Sequence, residues 1–248
     1  MAEFRAYSDE VYSRFGVGRF ENENCKNKVF IESVLYESAK RYGVSGNALV
    51  ISGPALDRHL GNAYKVADEV TVVELSPKEF YQITTIIAKN KKYCSLVNRG
   101  KLMTRNMDVG KVNQSYDFED LDLTQHLKTT QGLYIKRLAR QSTLHAGPKA
   151  MIMTFSMRCG RVSEDQSYTI TRINAILSVL DAKINGFNGV LDGFPDCSTL
   201  ENIAKCKDKK GYVYNLEANF EAKGRVDNFV FLKYRDGGPM TTCLVLYK

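Results

Sequence analysis

The feature that most constrains this chain is a repeated alternation of short apolar runs with helix-period segments, ended by two strand-like runs around a tight turn. The runs ALVISG (48–53), VTVVEL (70–75) and KAMIMTFSMR (149–158) read as buried strands, being rich in β-branched or large apolar residues. Between them lie segments with apolar residues three and four apart. Residues 26–43 place Phe30, Val34, Leu35 and Ala39 on one helical face, with Gly43 as a C-terminal stop. After Pro54, Leu56, Leu60, Ala63 and Ala67 repeat the pattern. Ser76, Pro77 and Glu79 form a good helix start, a capping side chain followed by a first-turn proline and acid.

Further along, YCSLVNRGKLM (93–103) reads as a third strand with its loop, and SYDFEDLDL (115–123) as a strand ending in carboxylates. TQGLYIKRLARQ (130–141) and YTITRINAILSVLD (168–181) read as helices. The tail holds GYVYNLEANF, NFVFLKY, the turn RDGGP and MTTCLVLYK, the last pair forming a hairpin. Strands alternating with helices imply a mostly parallel sheet covered on both faces, and the closing hairpin brings the last strand in antiparallel. One α/β domain over 46–248, with residues 1–45 as an N-terminal helical cap, is the simplest organisation.

The order of elements resembles the class I S-adenosylmethionine (SAM)-dependent methyltransferase fold, a Rossmann-like seven-stranded mostly parallel sheet with a C-terminal antiparallel hairpin and helices on both faces. In that family the first strand enters a glycine turn under the methionine part of the cofactor. The matching stretch here is LVISGPALDRHLG, so the resemblance gives Ser52, Gly53 and Asp57 cofactor-binding roles. It also makes Glu74, about 21 residues after Gly53, the acid that accepts the ribose hydroxyl protons.

Asp120 and Asp122, at the end of the fourth strand, correspond to the family's catalytic acid. Residues two apart on a strand share a face, so both carboxylates are expected at the pocket mouth and Glu119 on the other side. Arg158, at the end of a later strand, and Arg161 in the loop after it are candidate substrate contacts, as are Lys136 and Arg137. Tyr116 and Phe118 could stack on a base.

Net charge is +7 with a pI near 9.0, which favours a polyanionic partner. The excess is concentrated: residues 89–111 carry seven Lys/Arg against one Asp, and residues 128–149 carry five and no acid. These segments are expected to hold phosphates, which makes nucleic acid the expected partner and methyl acceptor. The Asn/Asp-Pro-Pro-aromatic string of amino-group DNA methyltransferases and the Pro-Cys nucleophile of cytosine chemistry are absent from the sequence. A catalytically lapsed methyltransferase fold, serving as a nucleic-acid-binding or assembly module, is therefore the alternative.

Other classes fit poorly. No G-x-G-x-x-G fingerprint supports NAD, and no G-x-S-x-G elbow supports a hydrolase. The six cysteines (25, 94, 159, 197, 206 and 243) include no CxxC pair and there are three histidines, so no metal is expected and the thiols are read as reduced. No apolar run nears the roughly 18–20 residues of a membrane span, and the N-terminal residues lack a secretory apolar stretch, so a cytoplasmic protein is expected.

Overall fold

The computed structural model describes residues 26–52, 56–123, 129–156, 166–188, 213–235 and 239–248. Helix α1 (Lys26–Arg41) leads to strand β1 (Asn47–Ile51), then α2 (Leu56–Ala63), β2 (Glu69–Glu74), α3 (Pro77–Lys89), α4 (Lys91–Asn98) and β3 (Leu102–Asn106). The chain continues through β4 (Phe118–Leu123), α5 (Thr129–Ser142), β5 (Lys149–Ser156), α6 (Gln166–Leu177) and β6 (Ala182–Asn188). It ends with β7 (Val213–Ala222), β8 (Val226–Arg235) and β9 (Pro239–Tyr247).

Local chemistry sets the boundaries. Gly43, at φ +94°, lets α1 end in a Schellman motif: Val44 N donates to Ala39 O at 3.1 Å and Gly43 N to Lys40 O at 2.9 Å. Ser76 caps α3 by accepting from Glu79 N at 3.3 Å, with Pro77 in the first turn. The run around Tyr93–Val97 departs from expectation and is helical. Asn90 explains it, because its side chain accepts from the N–H groups of Lys92 and Tyr93 and nucleates α4 before β3 begins at Leu102.

The seven strands β3-β2-β1-β4-β5-β9-β8 form the main sheet, with the first five parallel and β9 antiparallel to both β5 and β8. This is the Rossmann-like architecture expected from the sequence, closing hairpin included. The sheet extends further than expected. The first half of β7 (Val213–Leu216) adds beside β8, and its second half (Glu217–Ala222) turns away to pair with β6. Strand β6 carries no clear sequence signal; Asn174 of α6 pins it by bonding both the N–H and the carbonyl of Ile184, at 2.7 and 2.8 Å.

Side-chain alternation along the strands divides the core into two layers. Val50, Val72, Phe118 and Ile152 face α1–α4, whereas Leu49, Val73, Leu121 and Met151 face α5 and α6. Tyr116 and Phe118 are buried in these layers, so neither is placed to stack on a base. Glu119 faces the α5–α6 side, as the alternation expects, and is fully enclosed, with no hydrogen-bond partner on either oxygen among the described residues.

Burial pushes the Glu119 carboxyl up to about 8, against a smaller downward pull from Lys149. The folded chain therefore retains a proton that the unfolded chain releases near 4.5. Its contribution is full below about pH 4.5 and is lost as pH rises through about 8. Glu119→Gln should remove that loss, so that the difference in unfolding free energy between about pH 5 and 8 shrinks by a few kcal/mol. An unchanged pH slope in urea titrations would show that Glu119 ionises freely in the fold.

Candidate functional site

Strand order reverses between β1 and β4, and in open α/β sheets the crevice beyond the C-terminal ends of strands at such a switch point is where ligands bind. Val50 of β1 is level with Val72 of β2 and with Asp120 of β4. Two positions further on, at the strand ends, come Ser52, Glu74 and Asp122. The fold thus sets three of the expected polar residues side by side across three neighbouring strands, on the α1–α4 side of the sheet. Ser52 and Glu74 are buried and Asp122 is partly exposed.

Glu74 accepts a hydrogen bond from Ser76 N at 2.7 Å, so the start of α3 holds its carboxyl. Burial pushes it up to about 7, offset in part by that N–H and reinforced by Glu79. Asn106 of β3 fixes the backbone behind it, donating to Glu74 O at 2.8 Å.

Asp120 and Asp122 are expected to act together, but the structure separates their surroundings. Asp120 is 1% exposed, and its Oδ2 accepts from the Tyr36 hydroxyl of α1 and from His59 Nδ1 of α2 at 3.0 Å. Its carboxylate is thus enclosed between β4, α1 and α2. Asp122, one turn of the pleat nearer the strand end, has a side chain 10% exposed. Only this acid reaches the crevice.

Around Asp120 lies a buried polar group of which the sequence pattern showed little. His59 is fully buried, with Nε2 3.1 Å from Arg58 Nη2 and 3.9 Å from Asp122 Oδ2. Arg58 pairs with Glu32 of α1 through Nε at 2.8 Å. Burial resists a charged His59 ring, while Glu32 and Asp120 favour one more strongly, and the balance holds its pKa above 6.5. Glu32, Tyr36 and Arg58 were not singled out from the sequence. One signal was there: Glu32 and Tyr36 stand four apart on the same face of α1 as the apolar Ala39, a polar intrusion on a core stripe.

Ligand atoms of Glu32, His59 and Asp122 come within 4.8 Å of one another, a grouping the sequence reading did not anticipate. The Arg58 guanidinium already lies against Glu32 and His59 and supplies the positive charge there.

The other expected residues are scattered. Asp57 is exposed on the first turn of α2, its Oδ1 accepting from Tyr93 OH of α4 at 2.5 Å. Lys136 and Arg137 are on α5, on the opposite face of the sheet from Asp120, and Arg137 Nη2 donates to Val112 O at 2.8 Å. Gly53, Arg158 and Arg161 lie outside the described residues. Of the basic stretch 128–149, Lys149 is buried in an ion pair with Asp117 and is not available to a phosphate. In the stretch 89–111, Lys89, Lys91, Lys92 and Arg99 are exposed. They lie at the last turn of α3, the first turn of α4 and just after α4.

Among the described residues, Cys94 and Cys243 are free thiols, and no helix is long and apolar enough to cross a membrane.

No protein-family model matches the chain, and no curated protein matches it. Solved structures do. The plantazolicin methyltransferase BamL, crystallised with a triazolic desmethylPZN analog and SAH, superposes with a TM-score of 0.52 at 11% identity, covering 95% of this chain and 90% of that one. The N-methyltransferase NodS from Bradyrhizobium japonicum WM9, in complex with S-adenosyl-l-homocysteine, gives a TM-score of 0.47 at 12% identity, covering 96% and 98%. TYW2 from M. jannaschii, in complex with AdoMet, gives 0.44 at 8%, covering 87% and 76%. The first of these, together with the strand order, shows that the chain has the class I methyltransferase fold.

Proposed function

We propose that this chain is a SAM-dependent methyltransferase acting on nucleic acid. The observation that carries the reading is the row Ser52, Glu74 and Asp122, set level at the ends of β1, β2 and β4 respectively, at the switch point of the sheet. Glu74 fits the ribose end of the cofactor. Its carboxyl, half-ionised near neutral pH and held by Ser76 N, can accept two adjacent hydroxyl protons once charged. When bound, SAM supplies a methyl group on a positively charged sulfur, already activated for transfer to a nucleophile. The protein then has to orient the acceptor and remove its proton, a role we assign to Asp122 because it is the partly exposed acid at the end of β4.

The direct test is calorimetric titration of the purified chain with SAH and with SAM. Because the ionised form of Glu74 is the better acceptor, SAH affinity should rise as pH increases through about 7, with Glu74→Gln binding more weakly and without that dependence. No heat with either compound at any pH sinks the reading.

The nucleic-acid part of the reading is supported by the net charge of +7 and by the exposed Lys89, Lys91, Lys92 and Arg99. They form a cationic strip that a polyanionic acceptor can follow along its phosphates. Lys91→Glu with Lys92→Glu should weaken retention of mixed tRNA and lower the salt slope of binding by about 1 to 2. SAH affinity should be unchanged, and tRNA binding equal to wild type would remove this surface from the proposal.

The burial of Asp120 favours one second reading, since one of the two acids expected at the acceptor does not reach it. A lapsed enzyme serving as a nucleic-acid module would retain tRNA in a salt-sensitive way, indifferent to SAH and to Asp122→Ala.

A further inference from the structure

We propose that His59 is a positioning residue behind Asp122: oriented by Asp120, it receives the proton that Asp122 takes from the methyl acceptor, so the three side chains form one proton line. This rests on the methyl-transfer reading of the same site.

Asp120 is enclosed, and one of its oxygens accepts from both Tyr36 and His59 Nδ1. A carboxylate only accepts, so Nδ1 carries the hydrogen and Nε2 holds the lone pair. A buried carboxylate behind an imidazole fixes which nitrogen is free to exchange a proton and stabilises the charged ring that forms. Here the free nitrogen faces Arg58 Nη2 at 3.1 Å and Asp122 Oδ2 at 3.9 Å.

The charged and titratable groups facing the ring are Glu32 and Tyr36 from α1, Arg58 from α2, and Asp120 and Asp122 from β4. Three carboxylates stand against one guanidinium, so an added positive charge on the ring is favoured. Arg58 now donates to Nε2, yet it is also paired with Glu32 through Nε at 2.8 Å and Nη2 at 3.4 Å. A proton arriving at Nε2 takes the place of the Arg58 hydrogen bond, and Glu32 retains the guanidinium.

The step balances without an outside reagent. The acceptor nitrogen or oxygen gives its proton to an Asp122 oxygen as its electron pair forms the bond to the methyl carbon, and the methyl–sulfur pair stays on sulfur. Asp122 regains its charge by passing the proton to Nε2, leaving an imidazolium between two carboxylates.

The test follows the His59 ring by nitrogen-15 NMR in wild type, Asp122→Asn and Asp120→Asn, with His59→Asn identifying the resonances. In Asp122→Asn the protonation constant of His59 should fall on the order of tenfold while the Nδ1–H tautomer is kept. In Asp120→Asn the tautomer preference should be lost. A His59 midpoint unmoved by Asp122→Asn overturns the proposal. Asp122 is partly exposed, so that variant decides the question even if Asp120→Asn does not fold.

Calorimetry with SAH on the same proteins separates the two levels. His59→Asn should bind SAH within about twofold of wild type, its amide replacing Nδ1–H toward Asp120. Loss of SAH binding in that variant alone would make His59 a cofactor contact and overturn the relay. Failure of wild type to bind SAH, with the His59–Asp122 coupling present, overturns methyl transfer instead.

Discussion

Asp120→Ala should destabilise the fold by about 3–5 kcal/mol, the usual result of removing one member of a buried charged group. The alanine leaves the buried Tyr36 hydroxyl and His59 Nδ1–H without their acceptor. Asp122→Ala, by contrast, removes a carboxylate that stands 3.9 Å from the ring and nearer the strand end, and should cost about 1–2 kcal/mol. Urea unfolding of the two variants reads this directly. Equal effects would mean that the acids share one environment, contrary to their separation here.

The second large effect is expected at Gly46, just ahead of β1. Its φ of +105° is a conformation that side chains rarely adopt, which alone costs about 1–3 kcal/mol for alanine. The added methyl would also run into the Asp117 carboxylate. That carboxylate accepts from Asn47 N at 3.1 Å and forms the buried ion pair with Lys149, so it cannot step aside cheaply. Displacing it leaves Lys149 charged in a position 1% exposed, a penalty of about 3 kcal/mol or more. Gly46→Ala should therefore be recovered mostly unfolded. A soluble variant with wild-type thermal midpoint would show that the loop into β1 can rearrange. Gly110 is a milder relative of this case, with Tyr134 of α5 lying 2.6 Å from where its Cβ would sit.

The fold was largely legible because its signals are local. Val70–Val73, the Ser76–Pro77–Glu79 cap and the apolar runs of β8 and β9 each state their own conformation, and their order implies the sheet. Tyr93–Val97 misled because its apolar content suits a strand, while the deciding residue, Asn90, stands just outside the run. The site was legible only in part. The strand-end positions of Glu74 and Asp122 are readable, since strand ends gather at one edge of a parallel sheet. The company of Asp120 was not found, because Glu32, Tyr36, Arg58 and His59 reach it through tertiary packing of two helices. Charge runs misled in another way: counting Lys149 with the basic surface ignores that an acid far away in sequence can bury it.

The reliance of Asp120 on α1 also bears on the order in which the chain acquires its native state. Tyr36 and Asp120 are 84 residues apart in sequence, and the loop between them must close before either finds its partner. On a ribosome, α1 emerges long before β4. Glu32 can meet Arg58 of α2 as soon as that helix has formed, but Tyr36 has no acceptor until β4 stands beside β1. Complete docking of α1 thus requires the first half of the chain, through Leu123, and the aspartate it covers registers that β4 has taken its place in the sheet.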